Sequence, residues 1–192
     1  MSGRKSGGRE YPAGRGRAPA VFTALAAVCV LATSAAAQES SLNDAQIAHI
    51  AVTANAIDVE IAELVASRTS TESVRQFAST MIQDHTGVNE RAAALAARLG
   101  VTPQENAVSQ QLRAEADSVA AALRPLRGEA FDRAYVAREV AYHAAVLSAL
   151  DGALIPNTSN AELRQLLVAV RPAIVAHLEH ARELQSSLSA AE

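Results

Sequence analysis

Hydrophobic residues from about residue 43 onward recur at steps of three and four, the spacing of helices that bury one face. Ala, Leu, Glu, Gln and Arg dominate this region, and Gly and Pro fall almost only between the periodic segments. The pattern therefore predicts an all-α fold. We expect four long helices and a shorter one, over residues 43–68, 73–99, 129–154, 160–189 and, for the short helix, 104–124.

The ends and the order of these segments suggest a topology. Asn43 or Asp44 is suited to begin the first helix, and Gly100 to end the second. About twenty helical residues rise roughly 30 Å, so residues 104–124 can run the length of a bundle and let the next helix start at the far end. Its apolar face is expected to carry Val108, Leu112, Val119 and Leu123. Two hairpins joined by such a crossover make a ferritin-like four-helix bundle.

The first 37 residues differ from the rest of the chain. Five basic residues precede an apolar run over residues 21–33, which is followed by small residues up to Ala37. This order predicts a secretory signal peptide over residues 1–37 and a mature domain over residues 38–192. Cys29 leaves lipoprotein processing open as an alternative, although Val28 is bulkier than the residue expected before such a cysteine. The protein is thus expected to be secreted, periplasmic or envelope-associated.

The composition of residues 38–192 limits the function classes. This part of the chain has 12 basic residues, all Arg, against 19 acidic ones, a net charge of −7 with neutral His. No basic cluster stands out, so nucleic acid is not expected as a partner. Cysteine does not occur after residue 37, so any bound metal must use His, Asp or Glu. We expect no transmembrane segment after signal removal and place any protein partners in the envelope.

Three histidines, each near the midpoint of the apolar face of a different long helix, suggest a metal site. They are His85, His143 and His177, and Asp58 is the acidic residue nearest the core face of the first helix. Glu139, four residues before His143, can reach the same ion or orient the imidazole. The predicted site therefore holds one divalent metal such as Zn or Fe. Its ligand nitrogens should lie about 3.5 Å apart, since each Zn–N bond is roughly 2.0–2.1 Å.

The alternative is a buried polar layer that fixes helix register and binds no metal. In that case the imidazoles would be satisfied by hydrogen bonds to Asp58, Glu139, Tyr135 or Tyr142. The spacing does not separate these two interpretations. His49 lies more than about 100° from the centre of its apolar face and is expected at the surface. His180 lies at the margin of the core face, which leaves a role as a fourth ligand open, but we expect it at the rim.

Several short motifs carry a family resemblance. They are D-V-E-I at 58–61, V-R-Q-F-A at 74–78, M-I-Q-D-H at 81–85, F-D-R-A-Y-V at 131–136 and R-P-A-I-V-A-H-L at 171–178. The chain resembles, over about residues 42–188, the bacterial envelope proteins grouped as domain of unknown function 4142. The resemblance implies an exported ferritin-like bundle whose activity is not established. It carries over Asp84 with His85, Phe131 with Asp132, Tyr135 with Val136, His143, and Pro172 with His177. Such proteins often have an acid where this chain has Tyr142.

Known chemistries can be compared with these motifs. Ferritin-like di-iron enzymes use Glu-x-x-His on two helices. This chain has Ile82, Val140 and Ile174 three residues before the three histidines, so a mononuclear site rich in His is the metal reading that fits. A nucleophile motif such as G-x-S-x-G does not occur, and no catalytic residue is assigned. The expected function is metal handling or stress protection; the alternative is a non-enzymatic structural or interaction protein of the envelope.

Overall fold

The computed structural model describes residues 42–190, and every regular element in that range is helical. The helices are α1 Asp44–Ala66, α2 Glu72–Leu99, α3 Ala107–Leu123, α4 Gly128–Ala149, α5 Ile155–Asn157 and α6 Ala161–Ala190. The predicted all-α class is confirmed. The predicted signal peptide and Cys29 lie outside the described residues.

Local capping sets the helix ends. The side chain of Asn43 accepts a hydrogen bond from the backbone N–H of Gln46, whose own side chain accepts from the Asn43 N–H, so Asn43 begins α1. Gly100 ends α2 in the left-handed region, at φ 64°, which glycine adopts without steric cost. Asn106 caps α3 in the same way as Asn43 caps α1, and α3 therefore begins later than the predicted residue 104.

The connection between α2 and α4 runs along α1. Near its start, the Gln104 N–H donates to the Ala45 carbonyl at 2.9 Å. At its other end, the Arg68 guanidinium donates to the Leu126 carbonyl at 2.7 Å. The segment therefore spans α1 from its first turn to its last. The prediction that Val108 faces the core is wrong: Val108 is 41% exposed and Ser109 is buried instead, because the Asn106 cap holds Ser109 inward.

The predicted third long helix is not continuous to residue 154. It ends at Ala149, and a π-helical turn, Leu150–Leu154, leads into α5. Pro156 has no N–H to donate to the carbonyl four residues earlier, and the wider turn lies directly before it. On the outer face of this turn, Asp151 accepts two hydrogen bonds of 2.8 Å from Arg171 of α6. The last helix continues through Pro172.

Two apolar clusters fill the interior of the bundle. α1 packs on α2, α4 on α6, and α2 on α6. The first cluster includes Ile61, Val65, Phe77, Met81, Phe131, Tyr135 and Leu184. The second includes Ile47, Ile50, Leu95, Leu150, Leu163, Leu167 and Ile174. On each of α1, α2, α4 and α6, the predicted site residue lies between the stretches that enter the two clusters. Within residues 42–190, no helix has the length and apolar character needed to cross a membrane.

Candidate metal centre

The three predicted histidines meet in the interior. His85 of α2, His143 of α4 and His177 of α6 are all buried. Their ring centroids are 5.2 to 5.7 Å apart. One ring nitrogen from each histidine lies within 4.8 Å of one from each of the others. The roughly 3.5 Å expected between nitrogens around one Zn ion falls within this limit.

His85 is oriented by an amide on α1. The Asn55 side chain donates through Nδ2 to the Ala51 carbonyl at 2.9 Å, which turns its Oδ1 toward His85. His85 Nδ1 lies 2.6 Å from that oxygen. Because an amide oxygen only accepts, the proton resides on Nδ1 and the lone pair of neutral His85 is on Nε2. Nε2 is buried and has no hydrogen-bond partner.

His143 is oriented by its own helix. Its Nδ1 donates to the Glu139 carbonyl at 3.0 Å and lies 3.3 Å from the Glu139 carboxylate Oε2. A carbonyl only accepts, so the lone pair of neutral His143 is again on Nε2. This nitrogen is buried without a partner. Glu139 thus lies on the Nδ1 side of the ring, where it orients the imidazole.

His177 is also held at one ring nitrogen, but through Nε2 instead of Nδ1. Its Nε2 donates to Asp84 Oδ2 at 2.9 Å, and the Asp84 side chain is about half exposed. Nδ1 is the buried nitrogen without a partner. Each of the three imidazoles is therefore held at one nitrogen and unpartnered at the other. Metal-binding histidines in proteins are arranged in this way, with the second ring nitrogen donating to a carbonyl or carboxylate.

Asp58 of α1 completes the cluster. Its Oδ2 lies 3.0 Å from His85 Nε2 and 3.8 Å from His143 Nε2, yet no hydrogen bond is aligned with it. Its Oδ1 accepts from the Arg138 guanidinium. A carboxylate oxygen and two imidazole nitrogens thus face the same small space. This donor set suits a divalent transition metal.

Arg138 is the buried counter-charge of the cluster. It contacts both Asp58 and Glu139, and it is only 7% exposed. Its guanidinium lies 3.8 Å above the ring of Tyr142, whose hydroxyl donates to the Ala54 carbonyl at 2.8 Å. The two carboxylates share a single guanidinium. With neutral imidazoles, these three groups therefore carry one negative charge that no positive charge balances.

The ionisation of the cluster reflects this surplus of negative charge. Burial alone would raise the pKa of Asp58, but the Arg138 guanidinium and the two nearest imidazoles outweigh burial and hold this pKa well below its ordinary value. Burial alone would lower the pKa of His143, but Glu139 and Asp58 outweigh it and raise that pKa. Burial lowers the pKa of His177. The buried carboxylates thus favour the positively charged form of the His143 imidazole.

Comparison with known proteins bears on the family. Residues 30–184, most of the chain, match the family described as Domain of unknown function (DUF4142). The chain belongs to this family. Neither the curated proteins nor the solved structures yield a match. The family resemblance seen in the motifs is thereby confirmed.

All five predicted site residues lie in this one cluster, and the two peripheral histidines lie outside it. His180 is exposed, and its ring packs on the edge of Phe77 at 5.1 Å. His49 is half-buried beside Thr53, with 3.4 Å between Nδ1 and the Thr53 hydroxyl. Tyr135 does not supply the hydrogen bond expected in the polar-layer interpretation, because its buried hydroxyl has no partner.

Sequence reasoning missed Asn55 and Arg138, and it reached Asp84 only through the family motif. Asn55 lies one helical turn before Asp58, and Asp84 directly precedes His85. Arg138 was overlooked although a usable signal was present: it falls in a row of large residues at helical spacing, Phe131, Tyr135, Arg138 and Tyr142. An arginine in such a row points toward the core, which requires buried acidic partners.

Proposed function

We propose that this DUF4142 protein binds one divalent transition-metal ion through His85, His143 and His177, with Asp58 as the fourth ligand. The observation that carries the proposal is the tautomer pattern. Each imidazole is oriented at one nitrogen by an amide, a carbonyl or a carboxylate, and is unpartnered at the other. In a neutral ring, a buried acceptor without a partner costs about 1–3 kcal/mol, and a metal ion would remove this cost at His143 and His177. His85 Nε2 already lies 3.0 Å from Asp58 Oδ2.

The charge of the cluster supports a cation. Asp58 and Glu139 are fully buried, and Arg138 is their shared basic partner. A charge left unbalanced in the interior is expensive unless it is paired or coordinates a metal. Glu139, on the Nδ1 side of His143, would raise the basicity of this ligand rather than bind the ion directly. The set of three imidazoles and a carboxylate suits Zn or Fe, and it has neither the thiolates nor the Glu-x-x-His pairs of other common sites.

The proposed biological setting is the cell envelope. Residues 1–37 have the order of a secretory signal, with a basic segment, a short apolar run and small residues. The order of the helices, with α3 as a crossover, supports a ferritin-like bundle. We place the protein in metal handling or stress protection outside the cytoplasm, as a binding protein and not as an enzyme.

The test is metal content. The purified protein is loaded with Zn²⁺, or with Fe²⁺ without air, and is dialysed before the bound metal is measured. Wild type should retain about one ion per chain, and an ion at 100 times its Kd should raise the free energy of unfolding by about 2.7 kcal/mol. His143→Ala should lose both effects, while His180→Ala, on the same helix as His177 but exposed, should keep them. A folded wild type that retains no metal and gains no thermal stability would refute the proposal.

The structural alternative also has support. Arg138 ties α4 to α1 through Asp58, and His177 ties α6 to α2 through Asp84, so the layer links helices without any metal. This alternative predicts that His143→Gln and His177→Gln lower the free energy of unfolding while wild type never takes up metal. The same metal measurement therefore separates the two functions.

A further inference from the structure

We propose that Arg138 occupies the position of a second cation in this cluster and so limits the site to one metal ion. The inference rests on the proposed function, since it concerns the number of ions that the same carboxylates accept. Two groups of residues have donor atoms close enough to share an ion. One is His85, His143 and His177, and the other is Asp58, Glu139 and His143. The second group is where the guanidinium lies.

The contacts of Arg138 are those of an ion between two carboxylates. A single nitrogen, Nη1, lies against Asp58 Oδ1 and, at 2.5 Å, against Glu139 Oε1. Each of the two carboxylates directs one oxygen to Arg138 and the other to an imidazole. Asp58 Oδ1 and Glu139 Oε1 face the guanidinium, while Asp58 Oδ2 and Glu139 Oε2 are unpartnered and face the imidazoles. A carboxylate that bridges two cations presents one oxygen to each, and for Asp58 the guanidinium Nη1 takes one of those places. Glu139 Oε2 instead lies 3.3 Å from the Nδ1 of His143, which it orients.

Arg138 is suited to hold this position permanently. A guanidinium does not lose its proton at any physiological pH, so its charge cannot be titrated away. Its plane is packed on Tyr142 at 3.8 Å, and Tyr142 is itself anchored by a hydrogen bond to the Ala54 carbonyl. A lysine ammonium or a free ion has no planar group that could stack on the Tyr142 ring in this way. The arginine therefore acts as a built-in positive charge that a divalent cation cannot easily displace.

Removing the guanidinium should open the second position. In Arg138→Met, the Asp58 and Glu139 carboxylates would lose their shared partner and attract a second divalent cation, completed by water. Zn²⁺ is the probe, and bound metal per chain is the measurement. Wild type should bind about one ion and Arg138→Met about two. Without Zn²⁺ the variant should melt at a lower temperature than wild type, and saturating Zn²⁺ should restore most of the difference.

Three matched variants sharpen the test. Arg138→Lys keeps a positive charge in place and should bind one ion. The double variant Arg138→Met with Glu139→Gln removes one charge of each sign and should also bind one. Arg113→Met removes an exposed arginine that pairs with Glu60 across α1 and α3, and it should leave the count at one.

Each outcome bears on the inference. If Arg138→Met binds one ion like wild type, or stays unfolded at saturating Zn²⁺, the guanidinium does not stand in for a cation and the inference is overturned. A wild type that binds none refutes the proposed function instead. In that case a gain of one ion in Arg138→Met still supports the inference, and a gain of none overturns it as well.

Discussion

The apolar clusters and the histidine layer between them differ in how strictly each side chain must be placed relative to its neighbours. On one side of the layer, Phe77, Phe131 and Leu184 pack together, and on the other side Ile47, Leu150 and Leu167 do so. These side chains need only neighbours of suitable volume, because the hydrophobic effect has no direction. Within the layer, each polar atom needs a partner at a defined distance and angle. The same four helices thus supply both kinds of interior.

The polar layer holds most of the buried polar atoms that have no hydrogen-bond partner among the described residues. In residues 42–190, eight buried side-chain polar atoms have no hydrogen-bond partner, and five of them belong to His85, His143, His177, Asp58 and Glu139. The apolar clusters therefore stabilise the fold, whereas the unpartnered atoms of the layer between them lower the free energy of unfolding. Variants in the apolar clusters and variants in the polar layer test this division separately.

The largest expected effect lies in the apolar cluster. Phe77 is fully buried, and its ring packs edge-on against Tyr135 at 6.1 Å between centroids. Phe77→Ala should lower the free energy of unfolding by about 3–5 kcal/mol, because it removes buried apolar area and leaves a cavity. Chemical denaturation of the metal-free protein measures this change.

Val168→Ala serves as the control for Phe77→Ala. Val168 is half exposed on α6, so its truncation should change the free energy of unfolding by no more than about 0.5 kcal/mol. A loss below about 1 kcal/mol in Phe77→Ala would mean that the apolar cluster is not what stabilises the bundle.

A smaller effect, limited to the affinity for Zn²⁺, is expected for a variant in the polar layer. Asn55→Ala removes the amide oxygen that holds His85 Nδ1 and leaves Nε2 less well directed. Loss of such a group behind a metal ligand lowers affinity by about 10- to 100-fold. Zn²⁺ titration of wild type and variant measures this ratio. The matched control is Asn157→Ala, an exposed asparagine whose side chain also bonds a carbonyl four residues earlier, and it should leave the affinity unchanged.

The pH dependence of metal binding follows from His143. Its pKa is raised in the metal-free protein, so the fold favours the protonated ring, and this stabilisation is present below pH 6.5 and lost as the pH rises through the raised pKa. Zn²⁺ must displace that proton, so its affinity should rise with pH above 6.5, by up to about tenfold per unit. Asp58 and Arg138 keep their charges over this range, because the pKa of Asp58 is lowered and that of Arg138 is raised.

Calorimetry in buffers of different ionisation enthalpy would count the released protons. We expect up to about one per ion near pH 6.5 and a declining number at higher pH. His177 should not add a second, because burial lowers its pKa. An affinity that stays constant between pH 6.5 and 8 would show that His143 is not a ligand.

The contrast also explains how far the sequence predicts the structure. The period of the apolar residues placed the long helices to within two residues at most ends, and it placed His85, His143 and His177 at one level, because both properties follow from helical geometry alone. The helical row of large residues indicates that Arg138 faces the core, but its contacts with Asp58 and Glu139 did not follow, since they form only when the helices pack. The tautomers also depend on Asn55 and Asp84, whose distances to the rings exist only after packing.

The smallest expected effect compares two histidines of α6 that stand one turn apart. His177 is 6% exposed and faces the cluster, whereas His180 is exposed and touches only the edge of the Phe77 ring among the described aromatic contacts. His180→Ala should change the free energy of unfolding by about 0.5 kcal/mol or less and leave Zn²⁺ binding at one ion per chain. His177→Ala should abolish retention of the ion through dialysis. If both variants bound Zn²⁺ equally well, the ion would lie somewhere other than between the three buried rings, and the polar layer would be a structural feature of the bundle.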